Sequence, residues 1–189
     1  EPVPAPPTPK DTTNTPANPD SLSCKFMPFH LGAVSHYLTE GGVTLEDSIS
    51  ASYDVQGYTY YEGDYSTWSC QEGFTWFYNG SLTYVDVVDE QVKVRMKVAK
   101  NDMVKGTTWT QAIDSLVTNG LCTFLVEDLE TTRKVGDIEF KDVYRILVTP
   151  TGLDRDGDPI PAQTFKIWFV KGIGMVECDR GYKLVRYKL

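Results

Sequence analysis

The chain has 189 residues, with 18 Lys plus Arg against 26 Asp plus Glu, and a net charge of −8. This length fits one ordinary domain with a sizeable buried core. The acidic charge argues against nucleic acid as a partner, because neutralising phosphates needs a basic stripe, and against an anionic membrane surface. The sequence holds no run of about 18 apolar residues, so we expect no transmembrane span.

The amino-terminal residues 1–21 differ in composition from the rest of the chain. They hold seven of the eleven prolines and a single large aliphatic residue, Val3. Such a segment cannot bury enough apolar surface to offset the entropy lost on ordering. We expect a disordered Pro-rich spacer that tethers one domain, residues 22–189, to an anchor upstream of Glu1, such as a lipidated cysteine. A tail without an anchor is the alternative.

The middle of the chain shows the period-two alternation of antiparallel strands. Between Gln91 and Lys100, Val and Met alternate with Gln, Lys and Arg, which is typical of a strand with one face on the core and one in water. In the aromatic segment 74–78 and in the segment 82–88, the alternating residues stand at even-numbered positions on either side of Asn79-Gly80-Ser81. This pattern predicts a hairpin with an Asn-Gly turn.

Further strands are predicted towards the carboxyl end. Phe140–Val148 and Thr164–Val170 flank a loop rich in Pro, Gly and Asp, so we expect a long antiparallel hairpin. Two more strands are expected at Met175–Cys178 and Tyr182–Leu189. Only Thr110–Val117 has helical spacing, for one or two turns at most.

Together these patterns predict an all-β fold. We expect a single domain of about nine to eleven antiparallel strands that form a curled sheet, half-barrel or sandwich, with at most one short helix. Gly172 and Gly174 alternate just before one strand, which suggests positive φ angles or a close backbone approach at a bend.

Five short motifs follow one another along the domain, namely Phe26–Gly32, Gly106–Trp109, Phe140–Val143, Trp168–Val176 and Tyr182–Leu184. The group with which they agree is the TapB-like family of secreted proteins and lipoproteins, from Bacteroidetes-type bacteria, which this chain resembles. The resemblance implies long, curled antiparallel strands, a place in the bacterial cell envelope or outside the cell, and no known activity. The chain departs from the family at Ile173 and Met175, where Val and Leu are usual, and in its four cysteines.

The four cysteines favour disulfides over a metal site. Their number is even and no pair has C-x-x-C spacing, and the chain is expected to be secreted. Three connectivities are possible. We favour Cys24 with Cys70 and Cys122 with Cys178, because each bond would then staple one half of the domain. Buried free thiols are the alternative.

The motifs of common enzyme classes are missing. There is no G-x-S-x-G, H-E-x-x-H, Walker loop or G-x-G-x-x-G. His30 and His36 lack a third ligand for zinc. Acidic clusters at 86–90 and 127–130 contain the carboxyl groups that a glycosidase needs, but acidic turns are common on an acidic protein. We therefore expect a protein that is not an enzyme and binds no cofactor.

One string of aspartates is a weak candidate for a metal site. Asp154, Asp156 and Asp158 alternate as in the start of a calcium loop. The glycine, however, precedes the third Asp, and Phe165 stands where the loop needs its bidentate Glu. A solvated hairpin tip is the favoured interpretation.

Aromatic residues are concentrated between residues 58 and 78, which hold nine of the 23 in the chain. Aromatic faces stack on sugar rings, and Tyr and Trp suit half-wet surfaces. The alternative is that these residues fill the core, although strand alternation prevents one face from hiding all nine. The candidate ligand-binding residues are Tyr65, Trp68, Trp76 and Tyr78.

These observations favour a monomeric binding module for a glycan or a protein partner. Two other functions stay open. A curled sheet can carry an apolar ligand in its cavity. Paired carboxylates can hydrolyse a polysaccharide if one of them has a raised pKa.

Overall fold

The structure, a computed structural model, describes residues 31–55, 58–64, 74–78, 84–89, 95–100, 103–112, 121–152, 159 and 163–189. The predicted spacer, and with it the boundary between spacer and domain, lies outside these residues. In the described part of the chain no helix has the length and hydrophobicity needed to cross a membrane.

Twelve strands make up the regular structure of the described residues, and no helix is present among them, which confirms the all-β prediction. The number is one above the expected range. The strands are β1 Val34–Thr39, β2 Thr44–Val55, β3 Tyr58–Asp64, β4 Phe74–Tyr78, β5 Tyr84–Asp89, β6 Arg95–Lys100, β7 Thr108–Ala112, β8 Leu121–Val135, β9 Ile138–Thr151, β10 Phe165–Val170, β11 Gly174–Cys178 and β12 Tyr182–Lys188.

All twelve strands belong to one antiparallel sheet with the order β6-β5-β4-β3-β2-β1-β12-β11-β10-β9-β8-β7. Strands that follow each other in the chain are therefore neighbours, except for β6 and β7, which form the two edges. The first and last strands are paired, with Val34 opposite Lys188. The sheet consists of two six-stranded meanders joined along β1 and β12.

The strand pairings of both predicted hairpins are confirmed, whereas the predicted Asn79-Gly80 turn lies outside the described residues. β4 pairs with β5, with Trp76 opposite Val87, and β9 pairs with β10, with Ile146 opposite Ile167. The expected short helix is wrong over its first residues, because Thr110–Ala112 belong to β7 and pair with β8. The rest of that helical segment lies outside the described residues.

The sheet register separates a core face from a charged face in β9, β10 and β11. Ile146, Ile167 and Cys178 share one row, and the adjacent row on the other face holds Arg145, Trp168 and Glu177. On the core side, burial of large apolar side chains contributes roughly 1.5–3 kcal/mol each. The largest side chains with less than 2% exposure are Phe169, Ile146, Leu184, Val126, Val135, Val143 and Val148.

The sheet curls, so that strands far apart in its order meet. β8 contacts β12, four places away, and the Phe140 ring of β9 lies 6.1 Å from the Tyr187 ring of β12. The turn before β11 also agrees with the sequence, since Gly172 and Gly174 have φ angles of 74° and 98°. Glycine adopts this left-handed backbone conformation without a steric cost, because it has no Cβ atom.

Candidate functional site

Three strands, β2, β3 and β4, place aromatic residues in adjacent cross-strand rows. Tyr53 pairs with Tyr60, and Tyr60 pairs with Phe77, so one row holds three aromatic residues. In the next row Tyr61 pairs with Trp76. Successive rows belong to opposite faces of a sheet, so aromatic residues occupy both faces here. We call these two sets the aromatic rows.

Two of the four predicted ligand-binding residues belong to this region. Trp76 and Tyr78 are two apart in β4 and so share a face, on which Trp76 is the partner of Tyr61. Tyr65 and Trp68 lie outside the described residues. Tyr53 has no sequence signal of its own, because only the register with β3 brings it into an aromatic row.

A second cluster surrounds Trp168 on the charged face; we call it the Trp168 cluster. Trp168 is only 7% exposed, and the guanidinium carbon of Arg133 lies 3.8 Å from its ring centroid. Its Nε1–H donates to Glu130 Oε1 at 3.0 Å. The cluster draws on β8, β9, β10 and β11, and its members are Glu127, Glu130, Arg133, Arg145, Trp168 and Glu177.

Ion pairs join the members of this cluster. Glu130 accepts hydrogen bonds from Arg133 Nη1 at 3.1 Å and from Arg145 Nη1 at 3.0 Å. Arg133 Nη2 also lies 2.7 Å from Glu177 Oε2, and Arg145 Nε donates to Glu127 Oε2 at 2.8 Å. Each charged group thus has a partner of opposite sign, which makes the cluster a structural network.

The electrostatics of Glu130 follow from these contacts. Burial on its own would raise the pKa of this carboxyl, but hydrogen bonds from Trp168, Arg133 and Arg145 hold the pKa below its usual range. The pKa of Asp128 is also lowered, first by the hydrogen bond from Lys105. Neither carboxyl is a proton donor near neutral pH, as a hydrolase of paired carboxylates would require.

An irregular backbone accompanies the contact between Glu130 and Arg133. Side chains three apart in a regular strand point to opposite faces, yet these two form a salt bridge. In the paired strand β9, Asp142 has a φ of 53°, the one positive value among the described non-glycine residues. β8 also carries a register shift between Val126 and Asp128. We attribute the unusual contact to this local twist.

Two open grooves lie beside this region. The first, of about 380 Å³, runs past Tyr144, Lys141 and Lys171, and Lys171 Nζ is 5.3 Å from the Tyr144 ring centroid. The second, of about 340 Å³, is bordered by Leu38 and Lys183. Both grooves open to the surface, so neither is the kind of enclosed cavity in which a curled sheet carries an apolar ligand.

Cys122 and Cys178 are both free thiols, so the predicted bond between them is not formed. Cys122 is opposite Pro150 in β9, whereas Cys178 is in β11, three strands away from β8. Neighbouring strands are ~4.8 Å apart, so strands three places apart are separated by ~14 Å along the sheet. A disulfide needs Cα atoms within ~7 Å. Cys24 and Cys70 lie outside the described residues.

The remaining candidate metal ligands are not brought together. His36 lies between Glu46, 3.5 Å from Nδ1, and Arg186, 2.8 Å from Nε2. Within the described ranges no group of three or more His, Cys, Asp or Glu is arranged to hold a metal ion. His30, Asp154, Asp156 and Asp158 lie outside those ranges.

Comparison with known proteins adds little. No family model matches the chain. No curated protein matches it. A crystal structure described provisionally as a lipoprotein from Parabacteroides distasonis is similar at 11% identity, with 87% of this chain and 99% of that chain covered and a TM-score of 0.41. A likeness at this level supports neither a shared family nor a shared function.

Proposed function

We propose that this protein is a non-catalytic binding module that holds a glycan or a protein partner on the aromatic rows of β2–β4. The observation that carries the proposal is the register that sets Tyr53, Tyr60 and Phe77 side by side and Tyr61 beside Trp76 in the next row. Neighbouring strands are ~4.8 Å apart, so a row of three aromatic residues spans ~10 Å, which is the scale of a disaccharide.

The placement on two faces supports a surface role for one of the rows. A sheet that packs one face on the core leaves the other face towards solvent. Because the two rows are on opposite faces, a fold that buries one of them leaves the other available. Planar aromatic rings then offer apolar surface to sugar C–H groups, and the Tyr hydroxyl and Trp N–H groups add polar contacts at the rim.

The non-catalytic part of the proposal rests on electrostatics. In the Trp168 cluster, contacts with Arg133 and Arg145 hold the pKa of Glu130 below its usual range, so this carboxyl stays ionised near neutral pH. Perturbed pKa values at catalytic sites shift towards the working pH, and here they shift away from it.

The cellular setting is also a proposal. A Pro-rich spacer of about 20 residues reaches ~60 Å in extended form. It would hold a monomeric module away from a lipid anchor at the bacterial cell surface. The resemblance of its motifs to those of TapB-like proteins supports this location.

A paired substitution tests the binding surface. We would measure binding of the purified protein to a glycan array and, by native mass spectrometry, to pooled oligosaccharides. Trp76→Ala and Phe77→Ala are matched controls for each other, since they are adjacent in β4 but belong to opposite faces. If one row binds the ligand, only one substitution removes binding, while circular dichroism shows both variants folded.

Three outcomes count against the proposal. Equal binding by wild type and both folded variants would exclude the aromatic rows as the contact surface. A lipid-sized adduct present at purification would favour a carrier instead. Turnover of an oligosaccharide during incubation would show that the protein is an enzyme.

A further inference from the structure

The two edges of the sheet differ in how they are protected. β6, Arg95-Met-Lys-Val-Ala-Lys100, carries three cations, whereas β7, Thr108-Trp-Thr-Gln-Ala112, has no charge and no proline. Native proteins protect edge strands from unwanted pairing with Lys, Pro or bulges. β6 has that protection and β7 does not, and the register of β7 with β8 is regular over all five residues.

Backbone hydrogen bonds show which groups of β7 point outward. The Val126 N–H donates to the Thr107 carbonyl, which fixes the phase of the β7–β8 ladder. In an antiparallel pair, alternate residues direct their N–H and C=O groups to the partner and the residues between direct them away. Trp109 and Gln111 therefore bond to β8, and Thr108 and Thr110 present their backbone groups at the edge. In the part of the chain that the structure describes, β8 is the one strand paired with β7.

The residues next to this edge are uncharged on both faces, the exposed one and the one that belongs to the core. On one face, Thr110, Thr123 and Thr149 form a row across β7, β8 and β9, and the hydroxyls of the first two are 3.4 Å apart. On the other face, the Trp109 ring stacks on Phe124 with a centroid separation of 5.0 Å and an interplanar angle of 1°. A strand added at β7 would extend both rows without burying a charge.

We propose that the edge of β7 is a docking site for an extended, uncharged peptide segment of a partner protein, which adds to the sheet as a further strand. Main-chain hydrogen bonds at Thr108 and Thr110 would supply the affinity. The row of threonines favours β-branched or small polar residues on one face of the peptide, and the stacked Trp109 and Phe124 favour an apolar residue on the other. This site is separate from the aromatic rows, which belong to β2–β4.

A peptide fits this edge better than a second copy of the chain does. Five residues at ~3.4 Å each make an edge ~17 Å long, and a strip of that length and about 10 Å wide covers ~170 Å², far short of the roughly 800 Å² per partner in a stable dimer. Two copies would also each bring a net charge of −8 to the contact. A strand-like peptide needs less area, because its backbone groups are paired along its length.

The test uses one position and two substitutions in the full chain. Thr110→Pro removes the outward N–H but no β7–β8 hydrogen bond, and proline is tolerated on the open side of an edge strand. Thr110→Val keeps the N–H and the β-branched shape. The probe is a phage-displayed library of random peptides about eight residues long, near a typical strand length.

We expect uncharged peptides with alternating residues to be selected on wild type and to bind Thr110→Val within about twofold. Binding to Thr110→Pro should fall about tenfold or more, the effect of one lost hydrogen bond plus the proline ring. Hydrogen exchange at Thr108 and Thr110 should slow when the peptide is bound. Trp76→Ala should leave this binding unchanged, which separates it from the proposed function.

Several results would overturn the proposal. One is a library that yields no binder, and another is a set of peptides that bind folded Thr110→Pro as tightly as wild type. Sedimentation that shows a dimer abolished by Thr110→Pro would assign the edge to a second copy. If Thr110→Pro unfolds, hydrogen exchange in the wild-type protein decides the question. Slower exchange of the Thr108 and Thr110 amides in the peptide complex would support the proposal, and unchanged exchange would overturn it.

Discussion

Arg133 lies over the indole of Trp168, with its guanidinium carbon 3.8 Å from the ring centroid, although the two residues belong to strands two places apart in the sheet. The same guanidinium forms ion pairs with Glu130 and Glu177. The side chain of Arg133 therefore connects β8 to β10 and β11 across the charged face. The backbone of β8 is hydrogen-bonded only to its neighbours β7 and β9.

Replacing Arg133 should destabilise the fold by an amount that depends on what the new side chain keeps. Arg133→Met leaves two carboxylates without this partner and should lower the free energy of unfolding by about 1–2 kcal/mol. Arg133→Lys keeps the charge but loses the planar stack, so a smaller loss is expected. Urea denaturation measures both.

Lys105→Met is the control for that experiment. It breaks the ion pair of Lys105 with Asp128, in which the lysine side chain is 67% exposed. Such exposed pairs contribute little to stability, because solvent screens them. An equal loss in Lys105→Met and Arg133→Met would contradict a special role for the Trp168 cluster.

The acid stability of the protein should depend on Glu130. Its folded-state pKa is lowered, so the unfolded chain binds the proton more readily at low pH. The stabilisation is present above the usual Glu pKa of about 4.3 and is lost as the pH falls through the folded value. Thermal melts of wild type should show a decline below this pH.

Glu130→Gln removes that titration while keeping the shape of the side chain. The variant should be less stable than wild type at pH 7, and its melting temperature should change less between pH 6 and pH 3. The same decline in both proteins would mean that other carboxyl groups cause the acid sensitivity.

Tyr37 should contribute through its hydroxyl, which donates to the Met175 carbonyl at 2.8 Å in a buried site. Tyr37→Phe should lower the free energy of unfolding by about 1 kcal/mol. Tyr187→Phe, at a half-buried position of β12, keeps the ring contact with Phe140 and should change it little. Comparable losses in the two variants would contradict the importance of the buried bond.

Alkaline pH offers a second readout for Tyr37. Burial raises the pKa of its phenol, and the charge of Asp47 adds to this shift. The stabilisation is complete below the unfolded pKa of about 10 and is lost as the pH rises above it. Tyr37→Phe should therefore lose less stability than wild type between pH 9 and pH 11, as measured by urea denaturation.

The thiols of Cys122 and Cys178 should be free and slow to react. Burial raises the pKa of both, and thiolate is the reactive form. Alkylation at pH 7 should be slow in the native protein and fast in urea. Peptide mapping without reduction should show no bond between these residues, and a linked peptide pair would contradict the structure.

Two turn glycines should differ in their tolerance of alanine. Gly181 has a φ of 99°, and an added Cβ would lie 2.5 Å from the Glu40 Cγ. Gly136 has a φ of 58° with nothing within 4 Å. Gly136→Ala should cost about 1 kcal/mol of backbone strain, and Gly181→Ala should cost more unless Glu40 moves. Melting temperatures of the two variants measure the difference.

The sequence was most informative where strand alternation and turn residues occurred together. The pairing of β4 with β5 and that of β9 with β10 could be predicted from local pattern alone, because each joins segments that are neighbours in the chain. The helix predicted from Thr110 was wrong over Thr110–Ala112, since pairing of these residues with β8 outweighs a weak helical spacing.

The sequence indicated only part of the Trp168 cluster, because Glu127 and Glu130 stood out as acidic residues but their basic and aromatic partners did not. Its members come from four strands, and their meeting depends on the register shift in β8 and on the twist at Asp142. A change of register by one residue would place Arg145 on the core face. The row of Tyr53, Tyr60 and Phe77 has the same origin, because spacing along the chain does not fix which residues face each other across strands.

Pairing of the first strand with the last has a consequence for how the chain folds. Ten of the eleven strand pairings in the sheet join consecutive strands, so each meander can grow from local hairpins at a small loop-closure cost. The pairing of β1 with β12 alone links residues roughly 150 positions apart. Pairing of β1 with β12 is thus the folding step of highest contact order. It is also the one strand pairing through which the two six-stranded meanders join.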